Sequence, residues 1–174
     1  MSSKKPSSTQ KLREAFNTLY FDEDVGGPKL KSYLEVAGLR NVELWSSHVA
    51  RSTPDPDWLK LVGSRGWAVF TADKAIETDP VNLAAAVDAK AKIFILDGNS
   101  SVLSWCASIL VARERIYELI ADEPGPFFVN LDKHSHRIVS AIRRPYAPPA
   151  ADASSENGGS TSCSTPQQKS PDAN

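Results

Sequence analysis

Acidic side chains recur in this chain at the ends of short apolar runs. Asp22, Glu23 and Asp24 follow Leu19-Tyr20-Phe21, Asp73 follows Thr71 by two positions, and Asp97 closes the run Lys92 to Leu96. Asp55 and Asp57 flank a proline just ahead of Trp58 and Leu59. Carboxylates brought together out of water repel one another unless a cation or protons intervene. No His or Cys set accompanies them, so their chemistry is that of an oxygen-only site for a hard cation such as magnesium or manganese. An ion of this kind acidifies water and neutralises charge building on a phosphodiester. A single aspartate at a strand end is ordinarily a helix cap or a turn former. Three at corresponding ends make a metal site the competing reading.

The elements that position these acids alternate. Asn17 to Asp22 reads as a first strand. Gly26, Gly27 and Pro28 open a helix with an apolar stripe of Leu30, Tyr33, Leu34 and Ala37, which stops at Gly38. Val42 to Trp45 reads as a second strand. Asp57 or Asp55 caps a helix carrying Trp58, Leu59, Leu61 and Val62, which runs towards Gly63 and Gly66. Trp67 to Thr71 is a third strand, apolar on both faces, and Lys92 to Leu96 a fourth, with a helix over Asn82 to Ala89 between them. Val102 to Ile120 is the longest helix, Phe127 to Leu131 a fifth strand, and His136 to Ile142 a sixth. Strands that are apolar on both faces and separated by helices predict an α/β fold. The expected form is a three-layer α/β/α sandwich around a mostly parallel central sheet. Sites in such sheets lie beyond the carboxyl ends of the strands, which is where the acids fall.

Composition narrows the class. The chain has 174 residues, 41% hydrophobic and 24% charged, with a net charge of −1, which excludes a polycationic nucleic-acid coat. No window approaches the roughly 18 consecutive apolar residues of a membrane span, and Met1 to Gln10 lacks the apolar centre of a signal peptide. Cys106 and Cys163 lie far apart, the second in a polar stretch, so neither a disulfide framework nor a zinc site is expected. The cytoplasm is the expected compartment. From residue 147 to 174 the chain contains no Val, Ile, Leu, Met or aromatic residue. Such a segment is expected to stay disordered, because it cannot bury enough apolar surface to offset its ordering entropy. The organisation read from sequence is therefore a flexible segment over 1–12, a domain over 13–146 and a low-complexity tail over 147–174.

The stretch FDEDVGGPKLKSYLEVAG, then TPDPDWLKLVGSRGWAVFTADKAI, then KIFILDGN and PFFVNL resembles the PIN-like ribonuclease superfamily, within it the VapC-type toxin branch. The marks are the acid after the first strand, the acid before a Trp-Leu helix start, and Thr-x-Asp after the third strand. The likeness covers about Leu19 to Ile142. It implies a magnesium- or manganese-dependent endoribonuclease, the toxin of a toxin–antitoxin pair, with RNA as substrate and a protein antitoxin as partner. A homodimer is the analogy from relatives. Carried over by position, Asp22 corresponds to the first acid, Asp55 to the second and Asp73 to the third, while Thr71 supplies the hydroxyl that orients Asp73 or a water. Asp97 is the one candidate for a fourth metal-ligating acid. Asp24 stands where relatives often carry Asn, and Asp57 competes with Asp55 for the second role.

Other residues read more simply. Trp45, Trp58, Trp67 and Trp105 suit a core better than a base-stacking surface. Cys106 is expected to be a small buried hydrophobe. His134 and His136 share a strand face without a third ligand nearby, and Lys74 next to Asp73 is either solvated or meets a phosphate. Lys133, Arg137, Arg143 and Arg144 form the basic concentration of the chain, read as a solvated face or, less simply, a track for an RNA backbone. Two rival functions remain on sequence: a PIN-like module that binds without turnover, and a receiver-like phospho-acceptor domain, which would need Lys133 beside the acids.

Overall fold

A computed structural model describes residues 17–25 and 27–131. Its elements are β1 (Leu19–Phe21), α1 (Pro28–Val36), β2 (Val42–Leu44), a 3-10 turn (Trp45–Ser47), α2 (Asp55–Ser64), β3 (Ala68–Thr71), α3 (Ala75–Thr78), α4 (Pro80–Asp88), β4 (Lys92–Ile95), α5 (Val102–Asp122) and β5 (Phe127–Asn130). All five strands are parallel, in the order β2-β1-β3-β4-β5. The sixth strand expected over His136 to Ile142 and both tails lie outside the described residues, as do His134, Lys133 and the arginines near them.

The two-residue period of the strands separates two cores. Leu19, Phe21, Phe70, Phe94, Phe127 and Val129 face α1 and α5, where Leu30, Leu34, Ile109 and Ile116 meet them. Tyr20, Val69, Ile93, Ile95 and Phe128 face the other way, against Trp58, Leu59 and Val62 of α2, Ile76 of α3 and Ala86 of α4. The three-layer α/β/α sandwich is thus present, with both faces of the sheet covered. Cys106 is buried among the first set, as expected.

Local chemistry sets the element ends. Gly27 precedes α1 in an extended conformation and Pro28 occupies its first turn. Gly38, at φ +89°, takes the left-handed turn that ends the helix, its N–H bonding to the Glu35 carbonyl at 2.9 Å. The expected capping of α2 by Asp55 or Asp57 is corrected: Pro54 occupies the cap position with no side-chain bond, and both acids sit inside the first turn. Helix α4 starts two residues earlier than Asn82, because Asp79 accepts from the N–H groups of Val81 (2.9 Å) and Asn82 (3.0 Å) and Pro80 fits its first position. The short α3 is an element the apolar pattern did not reveal. Trp45 leaves β2 for the 3-10 turn, and Trp67 precedes β3 instead of opening it.

Helices α2 and α4 pack closely in the second layer. A Cβ on Gly63 would stand 2.3 Å from the Ala89 carbonyl oxygen and 2.7 Å from its Cβ, and backbone cannot yield as a flexible side chain does. Gly63→Ala is expected to destabilise the protein by about 2 kcal/mol, read as a lower melting temperature. Because this approach sets α4 against α2, it also sets the distance between Asn82 and Asp55.

Candidate active site at the β1–β3 crevice

In an open parallel sheet, the crevice opens where the chain leaves one strand in one direction and its neighbour in the other. Here β1 leads out to β2 on one side, and β3 begins the walk to β4 and β5 on the other. The pairing of Phe21 with Phe70 fixes the register, and the Asp22 N–H donates to the Phe70 carbonyl at 3.2 Å, which sets Asp22 beside Thr71 at the mouth. A pocket of about 320 Å³ opens there, lined among others by Tyr20, Asp22, Asp24, Asp55, Thr71 and Asp73.

Asp22 is only 7% exposed. Its Oδ1 accepts from the N–H groups of Asp24 at 3.1 Å and Val25 at 3.3 Å, and the Thr71 hydroxyl also donates to its carboxylate. Burial nevertheless dominates and pushes the Asp22 carboxyl up to about 7, with Asp24 adding to the rise and the hydrogen bonds opposing it. Thr71 is fully buried and its oxygen also accepts from the Asp73 N–H at 2.9 Å. One hydroxyl therefore ties the first acid to the backbone of the third. The Asp73 carboxylate in turn accepts from the Ala75 N–H at 2.8 Å, which holds it at the start of α3.

Asp55 reaches the same pocket from α2. Starting the helix at Asp55 leaves its side chain uncommitted to capping, and it turns sideways instead. Its Oδ1 accepts from the Trp58 indole N–H at 2.9 Å and its Oδ2 from the Asn82 side-chain amide at 2.6 Å, across from α4. Asp57 points elsewhere, to a separate hollow that it shares with Lys60 and Asp88. The two candidates for the second acid are thereby separated by geometry.

Asp24 completes the acidic wall. Its carboxyl is held above the usual range first by burial and then by the charges of Asp73, Glu23 and Asp55. Glu23 braces the rim: its Oε1 accepts from Arg51 at 3.1 Å and its Oε2 from the Ser52 N–H at 3.2 Å, tying the loop after β1 to the loop before α2. Asp97 is not among the residues lining the pocket. Its carboxylate accepts from Ser100 Oγ at 3.0 Å and the Asn99 N–H at 3.5 Å, the work of a turn former. Lys74 is exposed beside Asp73.

Of the tryptophans, Trp58 is buried, while Trp45, Trp67 and Trp105 are only partly so; Trp45 and Trp58 both line the pocket. Asn82 and the indole of Trp58 are the supporting residues that sequence reasoning missed. The Trp58 contact had a signal, since three residues along a helix from Asp55 is the neighbouring position on its face. Asn82 had none, because its contact depends on how α4 packs on α2.

Among the described residues, no three acidic, His or Cys side chains are drawn together closely enough to ligate one ion at once. The donor set still fits a hard cation. It is all oxygen, the neighbouring charges add to the raised proton affinity of Asp24, and magnesium commonly binds through one or two carboxylates while keeping several waters.

Residues 18–98 match the family described as a PIN-like domain, a span that includes every acid of the pocket. The chain is also similar to a Mycobacterium tuberculosis protein named as a candidate ribonuclease, VapC45, being 24% identical over 127 residues, which cover 71% of this chain and 91% of that one. No solved structure matches. The resemblance to the PIN-like superfamily and its VapC-type branch, read from the residues, is borne out.

Proposed function

We propose, for a chain whose core carries a PIN-like domain of the VapC type, that it is a metal-dependent endoribonuclease, the toxin of a toxin–antitoxin pair. RNA phosphodiesters are hydrolysed in the β1–β3 pocket, with Asp22, Asp55 and Asp73 as the chemical acids. The observation that carries this reading is the meeting of those three acids, from three separate segments, in one pocket within the family-matched span.

Asp22, Asp73, Asp55 and Asp24 are the residues that would hold a magnesium or manganese ion in this pocket. When bound, the ion supplies an activated water at neutral pH and offsets the charge developing on the phosphate. The chain's own residues do the rest. Thr71 fixes the spacing of Asp22 and Asp73 through its two hydrogen bonds. Trp58 and Asn82 take one lone pair from each Asp55 oxygen and leave the others directed at the pocket. Aspartates with unused lone pairs accept protons from a water as it attacks. Exposed Lys74 meets the RNA backbone beside Asp73, the cytoplasm is the working compartment, and a protein antitoxin and a second copy of the chain are the partners.

Incubating the protein with structured and unstructured RNAs in magnesium, manganese or chelator tests the reading. Cleavage by the wild type in manganese, abolished by chelator, is expected; no cleavage of any RNA in manganese would hand the fold to the binding-module reading. Asn82→Ala is expected to lower cleavage about tenfold, the scale of an outer-shell partner, with the fold intact by circular dichroism.

The receiver-like reading has one point in its favour. The order β2-β1-β3-β4-β5 is also the doubly-wound order of receiver domains, with acids after β1 and β3. It leaves Asp55 and its two hydrogen bonds without a role, and the PIN-like match spans the acids.

A further inference from the structure

The floor of the pocket carries a group that the acidic chemistry does not use. Tyr20 lies two residues before Asp22 on β1, so both side chains emerge on the same face of the sheet. The residue is 1% exposed, and its ring is wedged between Trp58 and Trp67, with centroids 5.8 Å and 6.0 Å away and planes inclined by 26° to each. That stack fixes where the hydroxyl points. Tyr20 is one of the residues lining the pocket, and among the described residues no hydrogen bond of its hydroxyl is seen. The Tyr20 oxygen is not among the buried unpaired atoms of the described residues, so it keeps contact with the open space of the pocket. What it faces is the ligand space.

Three other neutral donors lining the pocket are committed, leaving the Ser52 hydroxyl at the rim as the other exposed candidate. The Trp58 indole N–H is taken by Asp55, the Thr53 hydroxyl by the Ala50 carbonyl at 2.7 Å, and the Thr71 hydroxyl by Asp22. Around them the walls are carboxylates, which only accept hydrogen bonds when ionised. A phosphodiester also brings only acceptors at its non-bridging oxygens, so carboxylate walls repel it unless donors are supplied. A fixed hydroxyl among acids supplies one, and it does so without a rotamer left to order.

We propose that the Tyr20 hydroxyl is a substrate-contacting donor of this site, hydrogen-bonding a phosphate oxygen of an RNA strand seated in the pocket. The inference rests on the ribonuclease reading and names a contact which that reading does not require. Because the aromatic stack does the packing, Tyr20→Phe removes the donor and keeps the ring.

The test compares full-length wild type and Tyr20→Phe in two assays. One is RNA cleavage in manganese. The other is equilibrium binding of a fluorescently labelled RNA oligonucleotide in calcium, which needs no turnover. Both are run well below either melting temperature, with manganese affinity as the control for an intact acidic site. The expected result is a fall of tenfold or more in kcat/KM and weaker RNA binding in calcium, with manganese affinity unchanged. Equal cleavage and equal RNA binding by the two proteins would reduce Tyr20 to a core residue while leaving the ribonuclease reading standing. A wild type that neither cuts nor binds RNA would remove both.

Discussion

Asp22→Asn and Asp73→Asn are each expected to lower RNA cleavage by at least about 100-fold, more than outer-shell partners of metal sites cost, while both proteins stay folded. The substitution exchanges a charge for an amide of nearly the same shape. At position 22 the remaining oxygen can still accept from the N–H groups of Asp24 and Val25. The Thr71 hydroxyl, which now donates to Asp22, has to accept from the new amide, and it has a lone pair free beside the one taken by Asp73. At position 73 the oxygen that accepts from Ala75 is kept. Asp55→Asn is expected to behave alike, with an added mismatch, since its new amide N–H would face either the Trp58 indole or the Asn82 amide, both of them donors. Asp57→Asn, in the separate hollow, is expected to leave kcat within about twofold, an effect below 0.5 kcal/mol. Steady-state rates on one RNA, beside circular dichroism, read all four.

The second large effect is on stability, and its sign is opposite to that of most core substitutions. Burial lifts the Asp22 carboxyl from 3.8 to about 7, so in metal-free solution the folded chain keeps a proton that the unfolded chain has lost. Between those two values the native state binds more protons, and stability falls as pH rises. Below about pH 4 the group contributes no such loss, and above about pH 7 the loss is complete. It amounts to roughly 4 kcal/mol at pH 8 from the free-energy equivalent of a pKa change. Asparagine never ionises, so Asp22→Asn is expected to melt higher than wild type by roughly 8–16 °C at pH 8 in chelator, on the usual scaling for a domain of this size. At pH 4 the two proteins should melt together. A bound cation that ignores the unfolded chain should also raise the wild-type melting temperature at pH 8 and narrow the gap. Differential scanning calorimetry across pH, with and without manganese, reads the crossing; a variant that melts lower than wild type at pH 8 would mean that Asp22 is already compensated by its hydrogen bonds.

The strands were visible as short apolar runs, most of them apolar on both faces, and their ends shifted by only a residue or two, as at Asn17, Trp45 and Trp67. The acids were visible because parallel strands deliver their carboxyl ends to one edge. Asp55 against Asp57 was not, since choosing between them required knowing that α2 begins at Asp55 and that its side chain is claimed by Trp58 and Asn82. Asp97 looked equivalent to Asp73 by position, but its neighbours Asn99 and Ser100 draw it into a turn. The Asp79-Pro80 pair, a cap followed by a first-turn proline, was a local signal for the start of α4 that apolar periodicity alone overlooks. Tyr20 read as core because its ring is core; only the packing around it shows where its hydroxyl emerges.

Every chemical step assigned to the pocket depends on its taking up a divalent cation, and calorimetric titration with manganese at pH 7.5 reads that directly. The account predicts a single saturable event in the wild type below millimolar concentration, lost or weakened at least tenfold in Asp22→Asn and Asp73→Asn and unchanged in Asp57→Asn. Absence of binding up to millimolar manganese, or equal binding by all four proteins, would contradict it.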